Sequence, residues 1–194
     1  MSTPFGTFFK KFLNFAICLI CGKIGFVPRK AIIMLDVGIL IISDKGWHGQ
    51  RHDESGEVIR DSFSPLDSHV VKYEIIPDEV DVISQKLSEW ADKGQLDVII
   101  TTGGTGLSQR DVTPEATLSI VDKVVPGFTE AMRVKTLNTT PMAMLSRAIA
   151  GVRGQCLIIN LPGSPKAVRE CLEVILPAIP HAVEIIKGEV TEHS

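Results

Sequence analysis

The amino-acid sequence predicts an α/β fold, a three-layer sandwich in which a mostly parallel central sheet is flanked by helices. Four apolar runs recur along the chain, and such runs are typical of strands that are buried on both faces. Amphipathic helical patterns lie between the runs. Strands that alternate with helices in this way predict parallel neighbours joined by crossover connections.

The predicted strands are four short segments. In chain order they are VGILIIS, VVKYEII, LDVIITT and CLIINL, at residues 37–43, 70–76, 96–102 and 156–161. The second segment contains a lysine and a glutamate and is the weakest of the four. The last segment follows SRAIAGVRGQ, and together they predict a hairpin that turns near Gly154.

Helical patterns occupy the intervals between the strands. Apolar residues recur at three- and four-residue spacing at Val80, Ile83, Leu87 and Trp90. Thr113 is predicted to cap a second helix that begins at Pro114, and Ser164 with Pro165 repeats this arrangement. The inward-facing residues of the second helix are predicted to be Ala116, Ile120, Val121 and Val124.

Composition restricts the classes of function. The 194 residues have room for one domain, and 20 basic with 23 acidic residues give a net charge of −3. This balance argues against a nucleic-acid partner and suits a cytoplasmic protein that acts on small ligands. Cys18 and Cys21 with His48 and His52 resemble a zinc pattern, but their separation is about twice that of a zinc finger, so no zinc site is predicted.

Residues 1–33 differ in character from the rest of the chain. An apolar run at 12–22 lies between lysines, but it is shorter than the roughly 20 residues that span a bilayer, which makes a membrane role unfavoured. Three interpretations stay open for this segment. The translation start could be assigned upstream of a true start at Met34, the segment could be a leader or a membrane-surface anchor, or it could be an extension of the domain. The domain itself is predicted to occupy residues 34–190.

The segment TTGGTGLSQRD follows the third predicted strand, at the edge where ligands bind in parallel sheets. Gly103, Gly104 and Gly106 would let the main chain approach a ligand, and successive N–H groups in such a turn can bind an anion. No Gly-Lys-Ser/Thr follows, so the segment is not a Walker loop. On the glycines alone, a plain tight turn remains an equal alternative.

Two carboxylates are predicted to reach the same edge. Asp78 follows the second strand and Asp111 follows the glycines. Each could simply cap a helix, but two carboxylates beside a phosphate site could also hold Mg²⁺. With Arg110 they would suffice for phosphoryl or nucleotidyl transfer, which needs mainly positioning and charge neutralisation. Further acidic candidates are Asp44, Asp53, Glu54 and Glu79.

Several ordered motifs resemble those of the molybdopterin adenylyltransferases of molybdenum-cofactor synthesis. They are SDKG…DESG, IIPDE, TTGGTG-x3-RDVTPEAT, AMLSRAIAG and LIINLPGSPKAVRECLEVILPAIPHA, and they cover about residues 35–188. The resemblance implies a homotrimer that uses Mg²⁺ and ATP to adenylylate molybdopterin, with release of pyrophosphate. A molybdotransferase would then act downstream, at metal insertion.

The resemblance also suggests roles for individual residues. The family's two functional aspartates fall on Asp78 and Asp111, which are predicted to be catalytic and to hold the metal. The predicted substrate- and nucleotide-binding residues are Ser43, Asp44, Ser55, Gly56, Gly103, Gly104, Thr105, Gly106, Arg110, Thr113, Ser146, Asn160, Pro162, Gly163 and Ser164. The alternative function is that of a carrier or scaffold that binds molybdopterin without turning it over.

Overall fold

A computed structural model describes residues 34–50 and 52–189. The strands are β1 (Leu35–Ile42), β2 (Ser68–Ile76), β3 (Val98–Thr102), β4 (Lys123–Val124), β5 (Ala150–Arg153) and β6 (Cys156–Leu161). The α-helices are α1 (Asp44–Trp47), α2 (Glu54–Phe63), α3 (Val80–Asp92), α4 (Thr113–Leu118), α5 (Pro126–Leu137), α6 (Pro165–Ile175) and α7 (Ile179–Ile186). Two short 3₁₀ helices span Pro141–Leu145 and Leu176–Ala178.

One mixed sheet has the strand order β2-β1-β3-β6-β5-β4. The strands β2, β1, β3 and β6 are parallel to their neighbours, whereas β5 and β4 extend the sheet in antiparallel pairs. The mostly parallel sheet and the hairpin are therefore confirmed. Gly154 has a positive φ of 56° at the turn between β5 and β6, a conformation that favours glycine.

Helices cover both faces of the sheet, which confirms the three-layer sandwich. Side chains from α2, α5, α6 and α7 pack in one cluster with Val37, Ile39 and Ile41 of β1. Side chains from α3 and α4 pack in the other cluster with Leu40 and Ile42. Because alternate residues of β1 point to opposite faces and both faces are buried, this strand appears in the sequence as a continuous apolar run.

The region around α4 differs from the sequence prediction. Val112, not Thr113, is the N-cap, and no side chain caps this helix. The helix ends at Leu118, and Val124 is 49% exposed, so the prediction that Val124 faces inward is wrong. The reason is that Val124 pairs with Gly151 in an antiparallel ladder at the sheet edge. The predicted cap at Ser164 is confirmed, since its hydroxyl accepts a hydrogen bond from the Ala167 N–H at 3.3 Å.

The topology brings the ends of β1 and β3 together. The chain leaves β1 toward β2 on one side, then crosses to β3 on the other side of β1. In open α/β sheets, ligands bind beyond the carboxyl ends of the strands at such a switch point.

No helix in the described part of the chain is long and apolar enough to cross a bilayer. The predictions for residues 1–33 lie outside the described residues.

Candidate active site

A first pocket of about 340 Å³ opens beyond the carboxyl ends of β1 and β3. Its lining comes from five separate stretches of the chain. They are Ile41, Ile42, Ser43 and Gly46; His52, Asp53, Glu54 and Ser55; Asp78; Thr102, Gly103, Gly104 and Asp111; and Gly163 with Ser164. The pocket therefore lies at the topological switch point, where the sequence predicted the ligand edge.

The turn after β3 requires glycine at two positions, 103 and 104. Gly103 has a φ of 104°, and a Cβ there would overlap the carbonyl oxygen of Ile42. Gly104 has a φ of 60°, and a Cβ there would overlap the hydroxyl of Thr113. Both backbone conformations are ones that side chains rarely adopt. The glycine loop, residues 103–111, thus passes very close to its neighbours and lines the pocket with main chain.

The two carboxylates singled out in the sequence flank this glycine loop. Oδ1 of Asp78 lies 3.0 Å from the position that a Cβ on Gly104 would occupy. Oδ2 of Asp111 lies 2.9 Å from the corresponding position on Gly106 and accepts a hydrogen bond from the Ser108 N–H at 2.7 Å. Both residues line the first pocket. The predicted juxtaposition of two aspartates with the glycine loop is therefore present in the structure.

Asp44 holds Asp78 in a reciprocal arrangement. The Asp44 N–H donates to Oδ2 of Asp78 at 2.8 Å, and the Asp78 N–H donates to Oδ1 of Asp44 at 3.1 Å. The guanidinium of Arg110 donates to both carboxylate oxygens of Asp44, from Nε at 3.0 Å and from Nη2 at 2.9 Å. Neither Asp44 nor Arg110 lines the first pocket, and the bonds from Arg110 to Asp44 and between Asp44 and Asp78 orient the Asp78 carboxylate.

This arrangement shifts the pKa values of Asp44 and Asp78 in opposite directions. Burial raises the pKa of Asp78, and the charges of Asp44 and Asp111 raise it further. The hydrogen bond from Arg110 lowers the pKa of Asp44, which is additionally bonded by the Asp78 N–H. A buried carboxylate that is costly to ionise gains most from a nearby cation.

The opposite wall of the first pocket is held by α2. Asp53 caps this helix by accepting the Gly56 N–H at 2.9 Å, and its second oxygen accepts a hydrogen bond from the hydroxyl of Tyr73 on β2. Ser55 is buried and donates its hydroxyl to the carbonyl of Gly163 at 2.9 Å. The start of α2 is thus tied both to β2 and to the turn after β6.

A second pocket of about 440 Å³ lies on the other side of the glycine loop and has a more apolar wall. The loops contribute Gly104, Thr105, Gly106, Asp111, Ser146, Ala148, Pro162, Gly163 and Ser164. The helices and their caps contribute Thr129, Met132, Arg133, Thr136, Thr140, Met142, Ala143, Leu145, Ala167, Glu170 and Cys171. Four residues border both pockets: Gly104, Asp111, Gly163 and Ser164.

The predicted substrate-binding residues divide into two groups. Those that line a pocket are Ser43, Ser55, Gly103, Gly104, Thr105, Gly106, Ser146, Pro162, Gly163 and Ser164. Those that line neither are Asp44, Gly56, Arg110, Thr113 and Asn160. Thr113 is buried and donates its hydroxyl to the carbonyl of Gly103 at 2.9 Å. Within this second group, Asp44, Gly56 and Thr113 each hydrogen-bond a residue that lines the first pocket.

Sequence reasoning missed most of the second pocket's wall. Met132, Arg133 and Thr136 lie on α5, and Met142 lies on the following 3₁₀ helix. Neither element was predicted. A weak signal existed, because a Pro-Gly pair at 126–127 is followed by no further proline or glycine until the proline at 141. In the first pocket, His52 contributes to the lining, although the sequence singled it out only in a zinc pattern that was set aside.

The donor set suits a metal that shares its coordination with substrate. Among residues 34–50 and 52–189, no three His, Cys, Asp or Glu residues are grouped closely enough to hold an ion by themselves. Asp53, Glu54, Asp78 and Asp111 line the first pocket, and of these Asp78 and Asp111 lie beside the glycine loop. Both oxygens of Asp53 already accept hydrogen bonds, from the Gly56 N–H and the Tyr73 hydroxyl. Mg²⁺ commonly takes one or two protein carboxylates and completes its shell with phosphates and water. The residues present therefore fit Mg²⁺ bound together with a phosphate ligand.

Several known proteins are similar to this chain. Residues 38–181 match a family described as a probable molybdopterin binding domain. The molybdopterin adenylyltransferase of Helicobacter pylori (strain J99) is 46% identical over 159 residues, which span 79% of this chain and 89% of that protein.

Solved structures agree with the fold. The molybdopterin biosynthesis enzyme MoaB from Thermus thermophilus has a TM-score of 0.76 and 52% identity, covering 80% of this chain and 98% of its own. The tungsten cofactor synthesizing protein MoaB from Pyrococcus furiosus has a TM-score of 0.72 and 37% identity, covering 79% and 98%.

Proposed function

The chain belongs to the molybdopterin-binding domain family, and on that premise we propose that it is a molybdopterin adenylyltransferase. The terminal phosphate of molybdopterin would attack the α-phosphorus of ATP. A new P–O bond would form between the two phosphates, the bond between the α-phosphorus and its bridging oxygen would break, and pyrophosphate would leave. The product is adenylylated molybdopterin.

The observation that carries this proposal is the pair of pockets that meet at one wall. Gly104, Asp111, Gly163 and Ser164 border both pockets, so ligands in the two pockets would come closest to each other at the glycine loop. A condensation between two phosphate-bearing substrates needs this arrangement, because the reacting phosphates have to be held side by side.

The residues at the shared wall have the chemistry that phosphates require. The glycine loop exposes main chain toward both pockets, and the N–H groups of Gly104, Thr105 and Gly106 would bind phosphate oxygens. Ser164 caps α6, so the positive end of an 11-residue helix also points toward this wall. Holding and neutralising the phosphates is most of what catalysis of nucleotidyl transfer demands.

Asp78 and Asp111 would hold the magnesium ion that enters with ATP. When bound, Mg²⁺ neutralises phosphate charge, which is the electrostatic task that the site's own acidic side chains cannot perform. Arg110 and Asp44 would keep the Asp78 carboxylate turned toward the glycine loop. The reaction precedes metal insertion, so its chemistry is the same whether molybdenum or tungsten follows.

The wider setting is part of the same proposal. We infer that the protein works in the cytoplasm as a homotrimer and passes its product to a molybdotransferase. The alternative, a molybdopterin carrier or scaffold without turnover, would not need the two aspartates to flank the glycine loop. The domain that performs the reaction is proposed to be residues 34–190.

Pyrophosphate release tests the function directly. The full chain is supplied with ATP and Mg²⁺, with and without molybdopterin, and pyrophosphate is measured. We expect release that requires molybdopterin, ATP and Mg²⁺ together. Saturable molybdopterin binding without release would support the carrier instead, and release from ATP alone would indicate a different reaction.

A further inference from the structure

Arg147 contacts the glycine loop at several points, although it lines neither pocket. Its N–H donates to the carbonyl of Thr105 at 2.9 Å, and its Nε donates to the carbonyl of Gly106 at 2.7 Å. Its Nη2 donates to the carbonyl of Asp111 at 2.5 Å, and its Nη1 pairs with the carboxylate of Glu115 on α4. One residue therefore joins both ends of the turn that carries Asp111.

Besides Arg147, the outer part of this turn is held by the ion pair of Arg110 with Asp44, which leaves the Gly106 end of the turn to Arg147. Residues 107–110 are exposed, and Leu107 is 66% exposed despite its apolar side chain. The carboxylate of Asp111 is bonded by the Ser108 N–H within the same turn, a contact that moves with the turn rather than anchoring it. The planar guanidinium of Arg147 supplies several donors in fixed directions, which a lysine cannot reproduce.

We propose that Arg147 is a positioning residue for the adenylyl transfer, a role that rests on the proposed function. By fixing the carbonyls of Gly106 and Asp111, it holds the Asp111 carboxylate beside Gly106 and on the same pocket as Asp78. It acts through the main chain of the glycine loop and does not touch the substrates. Loss of the guanidinium would let Asp111 move away from the phosphate site while the sheet stays intact.

The test compares Arg147→Lys with the matched control Arg153→Lys. Arg153 is anchored in a similar way, with Nε and Nη2 on Asp92 at 2.8 and 2.9 Å and Nη1 on the carbonyl of Ile120 at 2.8 Å. None of these three residues lines either pocket. The control therefore removes an equally bonded guanidinium at a place remote from the glycine loop.

Three quantities are measured for each variant: the Mg²⁺ concentration that half-saturates pyrophosphate release, kcat, and amide hydrogen exchange of residues 103–112 without ligands. For Arg147→Lys we expect losses in Mg²⁺ affinity or kcat of about 10- to 100-fold, the usual effect of removing a residue that orients a metal ligand. Exchange in the glycine loop should also become faster. Arg153→Lys should match the wild type in all three.

Unchanged loop exchange and unchanged Mg²⁺ dependence in Arg147→Lys would overturn the proposal, as would losses that the Arg153→Lys control shares. Glu115→Gln is the second variant, because it removes only the ion pair at Nη1 and should give a smaller effect in the same direction. A wild-type protein that releases no pyrophosphate would refute the proposed function. Hydrogen exchange would then still decide whether Arg147 anchors the loop.

Discussion

The charge on Asp111 can be removed without disturbing the turn in which it lies. Asp111→Asn keeps an amide oxygen that can accept the Ser108 N–H, which now bonds Oδ2 at 2.7 Å. Because the electrostatic contribution is lost, we expect pyrophosphate release to fall about 10²-fold or more, with little change in Tm.

The matched control for this prediction is Asp122→Asn. Asp122 also accepts a main-chain N–H, from Gly154 in the turn between β5 and β6 at 2.8 Å, but it lines neither pocket. Its kinetics should equal those of the wild type. If Asp111→Asn turns over near the wild-type rate, the Asp111 carboxylate has no catalytic role.

A second prediction at the scale of one residue concerns Asp78 and the stability of the folded protein. Burial raises its pKa above the unfolded-state value, so the ionised side chain costs stability at every pH above its folded-state pKa. The cost disappears as the pH falls below the unfolded-state pKa. Asp78→Asn should therefore stabilise the ligand-free protein at about pH 7, and the gain should shrink toward about pH 4.

Thermal unfolding without Mg²⁺ measures this effect. Asp78→Asn should unfold at a higher Tm than the wild type at about pH 7, and in a chain of this size each ~1 kcal/mol of stability corresponds to about 2–4 °C in Tm. The same variant should lose turnover, which is the trade-off expected when a costly carboxylate is kept for function. If Asp78→Asn has a lower Tm than the wild type at pH 7, the prediction is wrong. Interactions in the folded state would then outweigh the cost of burying the Asp78 charge.

At the scale of elements, the strands and the ligand edge could be predicted, but part of the site wall could not. The strands β1, β3 and β6 are buried on both faces, so their apolar runs are visible in the sequence, whereas β2 is only half-buried and its run is correspondingly weak. In contrast, α5 buries only Thr129, Met132 and Thr136, a narrow stripe with two hydroxyl-bearing residues, and its pattern is therefore weak. The second pocket depends on this helix.

Contacts that are distant in sequence explain the other differences. The apolar spacing of Ile120, Val121 and Val124 predicts a longer α4, but pairing of Val124 with Gly151 in the sheet prevailed over the local preference. The residue types of Asp44 and Arg110 suggested substrate contacts. Only the structure shows that they bond each other and so orient Asp78.

Asn160 connects four elements and gives a prediction at this scale. It is fully buried, donates to the hydroxyls of Thr101 and Thr117 at 3.0 and 2.9 Å, and accepts the Ile149 N–H at 3.1 Å. These contacts join β6 to β3, to α4 and to the start of β5. The residue was predicted to bind substrate, but its side chain is occupied within the core.

Asn160→Ala should lower the free energy of unfolding by about 3 kcal/mol, because it leaves buried polar groups without partners at about 1–3 kcal/mol each. Chemical denaturation measures the loss. Asn138→Ala, at the exposed end of α5, is the control and should stay within about 0.5 kcal/mol of the wild type. If Asn160→Ala changes the KM for substrate without any loss of stability, Asn160 contributes to substrate binding instead.

At the scale of the whole molecule, the parallel sheet explains why residues far apart in sequence form one site. The strands β1, β2, β3 and β6 end at the same edge, and hydrogen bonds join the segments that follow them. Ser43 donates its N–H to the carbonyl of Ile76 at 2.9 Å, and Thr102 donates its hydroxyl to the carbonyl of Pro162 at 2.7 Å. The site is therefore built on the ends of rigid strands, which limits its freedom to distort.

The last prediction concerns how much of the chain this site needs. The family match begins at residue 38, and β1 begins at Leu35, which is already buried. The described core extends from Leu35 to Val183 and contains the contacts that hold both pockets. A protein that begins at Met34 should therefore fold, with a Tm within about 2 °C of the full chain, and should keep its rate of pyrophosphate release. Side-by-side thermal unfolding and kinetics of the two proteins decide the matter. A large loss of Tm would make residues 1–33 part of the domain, whereas a loss of turnover at equal Tm would give them a role in catalysis.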